Sequence, residues 1–337
     1  MDNSAPTNNV PPMLVITRHG CGIQDERWLE HRQLLLAAVT APALLAQTDQ
    51  NFTWLIVVDP DMPARARARL EEIVEPFGDK AVLSPTGDFT NRRVLLSGKE
   101  LGMARDGYSL SGRTDDDDAW HPETVAIIRK TAGRWLARAE RSDALLMTFQ
   151  LGYEWLMHDL VDIRRSKLKG RTIELKSIIH PFRMNFQGDS VFVISRDGTD
   201  LTCRSAPHGK MGVHFEELGK DIEYLLPDKP MWLYTRHKQV ATNFLHGPLV
   251  DAGLTVDEIC TMFNLDTVKI KEYIKSSDQF EYLLDRDMFK QRDERQAALE
   301  EVERTIRSGQ GTPELAARAD DLRSELDRLK RNLVGPI

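Results

Sequence analysis

The sequence predicts an α/β fold, a mixed sheet flanked by helices, followed by a helical extension. Three observations predict it. Short apolar, β-branched runs alternate with helix-period segments through the first half of the chain, which implies parallel strands joined by right-handed crossovers. Later strand candidates lie closer together without long helices between them, so the sheet becomes mixed. Beyond residue 245 the apolar runs give way to charged, helix-forming sequence.

Each element has its reason. Met13-Leu14-Val15-Ile16-Thr17 is an apolar run closed by Arg18-His19-Gly20, and within residues 25–40 Trp28, Leu29, Leu35, Leu36 and Val39 mark one helical face. Trp54-Leu55-Ile56-Val57-Val58 is a second buried strand, ended by Asp59-Pro60-Asp61, and residues 64–74 are rich in helix formers. Ala81-Val82-Leu83 makes a short third strand, residues 92–103 a helix, and residues 108–113 a fourth strand. Residues 122–139 then read as a helix with Pro122 in its first turn; residues 144–150, 174–179 and 190–195 read as strands, and Met231-Trp232-Leu233-Tyr234 as a last short one. The sheet unit is therefore placed at residues 13–245, behind a flexible leader at residues 1–12.

Residues 246–337 form the helical region. Thr255-Val256-Asp257-Glu258 is a capping-box pattern, and residues 267–274 suit a second short helix. Such a pair can be a helix-turn-helix, but its second helix offers only Lys269, Lys271 and Lys275, and the net charge is -7, so nucleic acid is not an expected partner. Leu315, Ala319, Leu322, Leu326, Leu329 and Leu333 recur at alternating steps of four and three, opposite Leu299, Val302 and Ile306. Thr312 as N-cap and Pro313 at the first helical position close the turn of a helical hairpin. Its seam packs back on the sheet unit or joins two chains; a homodimer through these helices is the slightly favoured expectation.

Composition bounds the class. With 337 residues, 41% hydrophobic and 29% charged, the chain is long enough for one large or two ordinary domains and has the balance of a soluble globular protein. No run approaches the about 20 apolar residues of a membrane span, and no secretory signal is visible, so the cytoplasm is the expected compartment. Arg164, Arg165, Lys167, Lys169 and Arg171 make a local basic stretch that suits solvent, an acidic acceptor or anionic lipid, which leaves a peripheral position at the inner face of a membrane open. Cys21, Cys203 and Cys260 lie far apart and read as reduced packing residues.

The chemistry is concentrated in Arg113-Thr114-Asp115-Asp116-Asp117-Asp118-Ala119-Trp120-His121-Pro122. Read as the continuation of a strand, the run sends Asp115 and Asp117 to one face and Asp116 and Asp118 to the other. A carboxylate pair at the C-terminal end of a strand in an α/β sheet is placed to hold a hard divalent cation that shares its shell with substrate phosphates. A solvated turn is the plainer alternative, but four adjacent negative charges repel one another, and a bound cation or a nearby arginine relieves that cost.

These residues, with Trp54 to Asp61 before them and Pro230-Met231-Trp232-Leu233, His237 and Asn243 after them, resemble the rhamnosyltransferase family of glycosyltransferases with the GT-A fold, over residues 13–245. The resemblance implies a GT-A-like (Rossmann-like) sheet, a nucleotide-sugar donor, a Mn²⁺ or Mg²⁺ ion, and transfer of the sugar to a saccharide or other hydroxyl acceptor. It implies that Asp59 contacts the base or ribose of the nucleotide. Asp115, Asp117 and Asp118 match the family's Asp-x-Asp-Asp stretch, with Asp117 the first choice as metal ligand beside Asp118. His237 is the further ligand expected late in the domain, with His208 and His214 as fallbacks.

Charge developing on a departing diphosphate is stabilised by a metal and by nearby arginines. Arg18, at the end of the first strand, and Arg113, beside the aspartates, are candidates for that clamp; Arg92 and Arg93 are weaker ones. An inverting transfer also needs a general base, for which Glu154 and Asp189 lie near strand ends. Two other readings compete. A nucleotidyltransferase uses similar sheets, but Arg18-His19-Gly20-Cys21-Gly22 is a poor phosphate loop. A non-enzymatic interaction protein would use its terminal helices and keep the aspartates as structure.

Overall fold

The computed structural model describes residues 9–157, 178–186, 190–237, 250–276 and 286–332. Seven strands form the main sheet: β1 (Met13–His19), β2 (Phe52–Val58), β3 (Ala81–Ser84), β4 (Tyr108–Arg113), β6 (Ala144–Phe149), β9 (Val191–Arg196) and β10 (Asp221–Leu225), in the order β10-β6-β9-β4-β1-β2-β3. β1 is parallel to β2 and β4, β2 to β3 and β10 to β6, while β9 runs antiparallel between β4 and β6, so the sheet is mixed as expected. A second sheet has the order β5-β11-β7-β8, from β5 (Ala119–Trp120), β7 (Leu151–Leu156), β8 (Ile178–Arg183) and β11 (Trp232–Arg236).

Both faces of the main sheet are buried, which explains the continuous apolar runs of its central strands. Side chains alternate. Met13, Val15, Phe52, Trp54, Ile56 and Val58 enter one core, and Leu14, Ile16, Leu55 and Val57 enter the other. The helices that cover these faces include α1 (Glu26–Leu35), α2 (Ala41–Leu45), α3 (Ala64–Val74), α4 (Asn91–Glu100), α5 (Thr124–Leu136) and α6 (Met211–Glu217). Each β1–β2 and β3–β4 connection carries a helix, the crossover that parallel strands require.

Three strands escape the sequence pattern for physical reasons. β7 follows β6 after only Gln150, so the two read as one apolar run, and Gly152 and Glu154 break its alternation. Gly152 is needed there, since a Cβ would stand 2.0 Å from the Trp232 ring of the adjacent strand. β10 is an edge strand of mixed polarity, and β5 has two residues. The strand expected at residues 174–179 falls mostly outside the described residues; β8 begins at Ile178. The fallback histidines His208 and His214 lie on a helical turn and on α6 rather than in a glycine loop.

The C-terminal region starts by joining the second sheet. In α7 (Val256–Phe263) and α8 (Thr267–Ser276), Ile259, Cys260, Phe263, Ile270 and Tyr273 share one core with Trp155, Ile179 and Leu233. The capping box at Thr255 and Glu258 forms as expected, and Asn264 ends α7 in the left-handed conformation. Lys269 and Lys271 are paired with Asp266 and Asp257, at 2.9 and 2.6 Å. α9 (Arg286–Thr305) and α10 (Pro313–Asn332) make the helical hairpin. Leu299, Ala319, Leu322 and Leu326 form its own small core, so the heptad seam is filled by the two helices themselves. No helix among the described residues is long and apolar enough to cross a membrane.

Candidate active site

β1, β2 and β4 are parallel and end at one edge of the sheet, where His19, Asp59 and the acidic run are delivered. β4 stops at Arg113, and residues 114–118 form a turn instead of extending the strand. Strand alternation therefore does not apply to the aspartates. The turn is clamped on two sides: Thr40 Oγ1 donates to the Asp118 carbonyl at 2.9 Å, and Thr235 Oγ1 donates to the Asp117 carbonyl at 2.7 Å. This geometry gathers Asp116 and Asp117, neighbours in sequence, around a single arginine.

That arginine is Arg32, on α1. One guanidinium nitrogen, Nη1, donates to Asp117 Oδ2 at 2.6 Å, and the other, Nη2, donates to Asp116 Oδ1. Asp116 also accepts from Nδ1 of His19 at 2.5 Å. All four side chains are buried. Burial by itself would raise the Asp116 pKa, but Arg32 and His19 hold it well below the usual carboxylate range. Asp117 is pushed up to about 6, because burial and the neighbouring Asp116 and Asp115 charges outweigh Arg32.

His237, just past β11, completes the group. Its Nε2 lies 2.7 Å from Asp117 Oδ2 and 3.0 Å from Arg32 Nη1. A carboxylate only accepts and a guanidinium only donates, so this one nitrogen cannot serve both neighbours. On its other side, Nδ1 of His237 lies 3.3 Å from His31, which in turn meets the Tyr273 hydroxyl of α8 at 3.2 Å.

Asp117 and His237 are of the donor types that a divalent cation takes. Carboxylate and imidazole converge on one point, and the guanidinium already standing there shows that the point favours positive charge. A cation at that point would take the lone pairs of Asp117 Oδ2 and His237 Nε2 together and remove the conflict at the imidazole. Among the described residues no three His, Cys, Asp or Glu side chains form a complete metal cage. A hard ion bound by one or two carboxylates and finished by substrate phosphates needs none.

The other expected residues fall as follows. Asp118 is fully buried and accepts the Thr235 backbone N–H at 2.8 Å, so it ties the turn to β11. Asp115 is half-exposed beside Arg113, at 3.4 Å. Asp59 is buried at the end of β2 and accepts the N–H groups of Gly22 and Asp61, at 2.8 and 3.0 Å, so it fixes the loop after β1. Gly20 in that loop has φ +64°, and a Cβ there would meet Leu29 at 2.4 Å. Arg18 is exposed, with its guanidinium 5.9 Å from the centre of the Phe89 ring.

Glu154 stands apart from the acidic turn. It is fully buried on β7, where it accepts from Arg236 Nε at 2.6 Å and pairs with His180 at 3.1 Å. Asp189, Asn243 and the basic stretch of residues 164–171 lie outside the described residues. Arg32, Asp116 and His19 are the site residues that the sequence reading did not select. Arg32 had a signal: it falls on the same helical face as Trp28, Leu29 and Leu36, and an arginine on an apolar stripe requires a buried partner.

A family model matches residues 18–246, a span that contains this whole edge of the sheet. The chain belongs to the family described as putative rhamnosyl transferases. A comparison with curated proteins gives no match. Among solved structures, S. aureus TarS shares 16% identity over 67% of this chain and 37% of its own, with a TM-score of 0.36. The inositol-1-phosphate CTP transferase from T. maritima shares 9% identity over 78% of this chain and 97% of its own, with a TM-score of 0.31. The mannosyltransferase PcManGT from Pyrobaculum calidifontis, solved in complex with GDP-Man and Mn²⁺, shares 15% identity over 41% of this chain and 36% of its own, with a TM-score of 0.26. The chain thus spans little more than a third of TarS and of the mannosyltransferase, and superpositions this loose carry no argument about the site.

Proposed function

We propose that the protein transfers a sugar, rhamnose by the family's name, from a nucleoside-diphosphate donor to a hydroxyl of a saccharide or other acceptor, with a Mn²⁺ or Mg²⁺ ion. The observation that carries this reading is the convergence of Asp117 and His237 on one cationic point at the C-terminal edge of parallel strands. Asp117 and His237 would hold the ion, with Asp118 bracing the turn behind them. When bound, the ion would offset negative charge on the departing diphosphate.

The chain's own residues supply the rest. Asp59 shapes the loop against which a base or ribose would lie. Arg18 and Arg113 close β1 and β4 at the same edge, and with Asp115 they would line the diphosphate, the arginines orienting phosphate oxygens. A cytoplasmic enzyme, free or resting on a membrane's inner face, belongs to the same reading.

Calorimetric titration with a panel of nucleoside diphosphates, with and without Mn²⁺, tests it. Metal-dependent binding that is lost in a folded Asp117→Ala variant supports the proposal. Equal binding by that variant would show that Asp117 holds no metal. A panel of donor sugars scored for sugar release then identifies the substrate.

A further inference from the structure

A second cluster of charge occupies the opposite face of the same strands. Alternation sends His19 toward Arg32 and Asp116, but it sends Arg18 to the face of Leu14 and Ile16. β4 pairs with β1 so that Arg113 lies beside Ile16, which puts Arg113 on that face too. A third arginine arrives from the loop after β9. The Arg204 guanidinium carbon lies 4.5 Å from the centre of the Phe89 ring, against 5.9 Å for Arg18, so the two arginines share one aromatic platform.

Arg204 is held in place by its surroundings. Its Nε donates to the Phe89 carbonyl at 3.2 Å, and its backbone N–H donates to Thr202 Oγ1 at 3.0 Å. Thr202 Oγ1 donates in turn to the Asn91 side chain at the start of α4, and Asn91 Nδ2 donates to the Asp200 carbonyl at 2.7 Å. The Cys203 N–H donates to Ser111 Oγ on β4 at 3.0 Å. The loop is thus pinned to α4 and β4, and the arginine is preorganised.

Gathering three guanidinium groups costs energy. Burial, and then the charges of Arg113 and Arg18, push the Arg204 pKa down to about 10, with Cys203 and Asp115 as the groups opposing them. Asp115 is also the residue paired with Arg113, so the same carboxylate acts on both Arg113 and Arg204. Such an arrangement is poised for an anion with several oxygens.

We propose that Arg18 and Arg204, which share the Phe89 ring, form with Arg113 a phosphate-binding subsite that grips the diphosphate of the donor without a metal, with Arg204 its most rigid member. This inference rests on the donor reading above. It separates two roles on the two faces of β1 and β4: cation recruitment around Asp117, and direct phosphate binding around Phe89.

The test is calorimetry on the full chain in EDTA, with inorganic pyrophosphate, the best nucleoside diphosphate of the panel, and its parent nucleoside. The wild type is expected to bind pyrophosphate and the nucleoside diphosphate, and Arg204→Gln to weaken both by about tenfold or more while leaving the nucleoside unaffected. Arg18→Gln, at an exposed position, is expected to weaken the same two ligands. Pyrophosphate binding undiminished in both variants overturns the subsite. So does a wild type that binds the nucleoside diphosphate only with Mn²⁺ and pyrophosphate not at all, a result that leaves the proposed function standing. Failure to bind any nucleoside diphosphate, with or without Mn²⁺, would remove both.

Discussion

Asp117 and His237 stand 2.7 Å apart across 120 residues of sequence, joined because β4 and β11 deliver their ends to the same point. Arg32 sits on both of them and pairs its guanidinium with Asp117.

Arg32→Met therefore leaves two buried carboxylates without their main counter-charge. The expected loss is about 3–5 kcal/mol of folding stability in EDTA. Mn²⁺ should restore part of it, since the ion would then enter a point that no guanidinium contests. Thermal melts of the variant with and without Mn²⁺ check this, and a midpoint indifferent to the ion would count against the metal position.

Glu154→Ala should behave as a core lesion. It strands Arg236 and His180 inside the second sheet and should cost about 3–5 kcal/mol in urea unfolding. A variant as stable as the wild type would mean that this triad carries little weight in the fold.

Gly152→Ala should be harsher than its one added carbon suggests. The new Cβ would overlap the Trp232 ring at 2.0 Å, with backbone on both strands resisting any shift. A loss of about 3 kcal/mol or more is expected from denaturant melts.

Asp221 should make the fold acid-sensitive. It accepts from Trp135 Nε1 at 2.6 Å and from the Ser142 N–H at 3.1 Å. Desolvation opposes ionisation, but these donors lower its pKa below the ordinary value. Its contribution is then fully present above the unfolded carboxylate range, about pH 4, and is lost as pH falls through the lower folded value. Asp221→Asn should show a smaller drop in melting temperature than the wild type between about pH 6 and about pH 3. Parallel drops would exclude this role.

The alternating strands and helices of the first half were legible because their apolar periods are strong and uninterrupted. The resemblance named Asp117 and His237, which the fold brings within 2.7 Å of each other, whereas their partner Arg32 required knowing that α1 turns its charged position inward. The internal arrangement of the acidic turn was not legible, because two threonines from distant elements, Thr40 and Thr235, decide its shape. Arg204 was hidden for the same reason: nothing in its loop sequence shows that Asn91 and Ser111 will anchor it. β7 was lost because a one-residue connection leaves no turn signal between two strands of different sheets.

Arg292 of α9 is buried and donates to the carbonyl of Cys21 at 3.1 Å, in the same loop whose Gly22 N–H is held by Asp59. The terminal hairpin thus acts as a buttress on the loop that leaves β1. Trimming it to obtain a tidier fragment would sacrifice that support, so a shortened protein would give a misleading view of how tightly this loop is held.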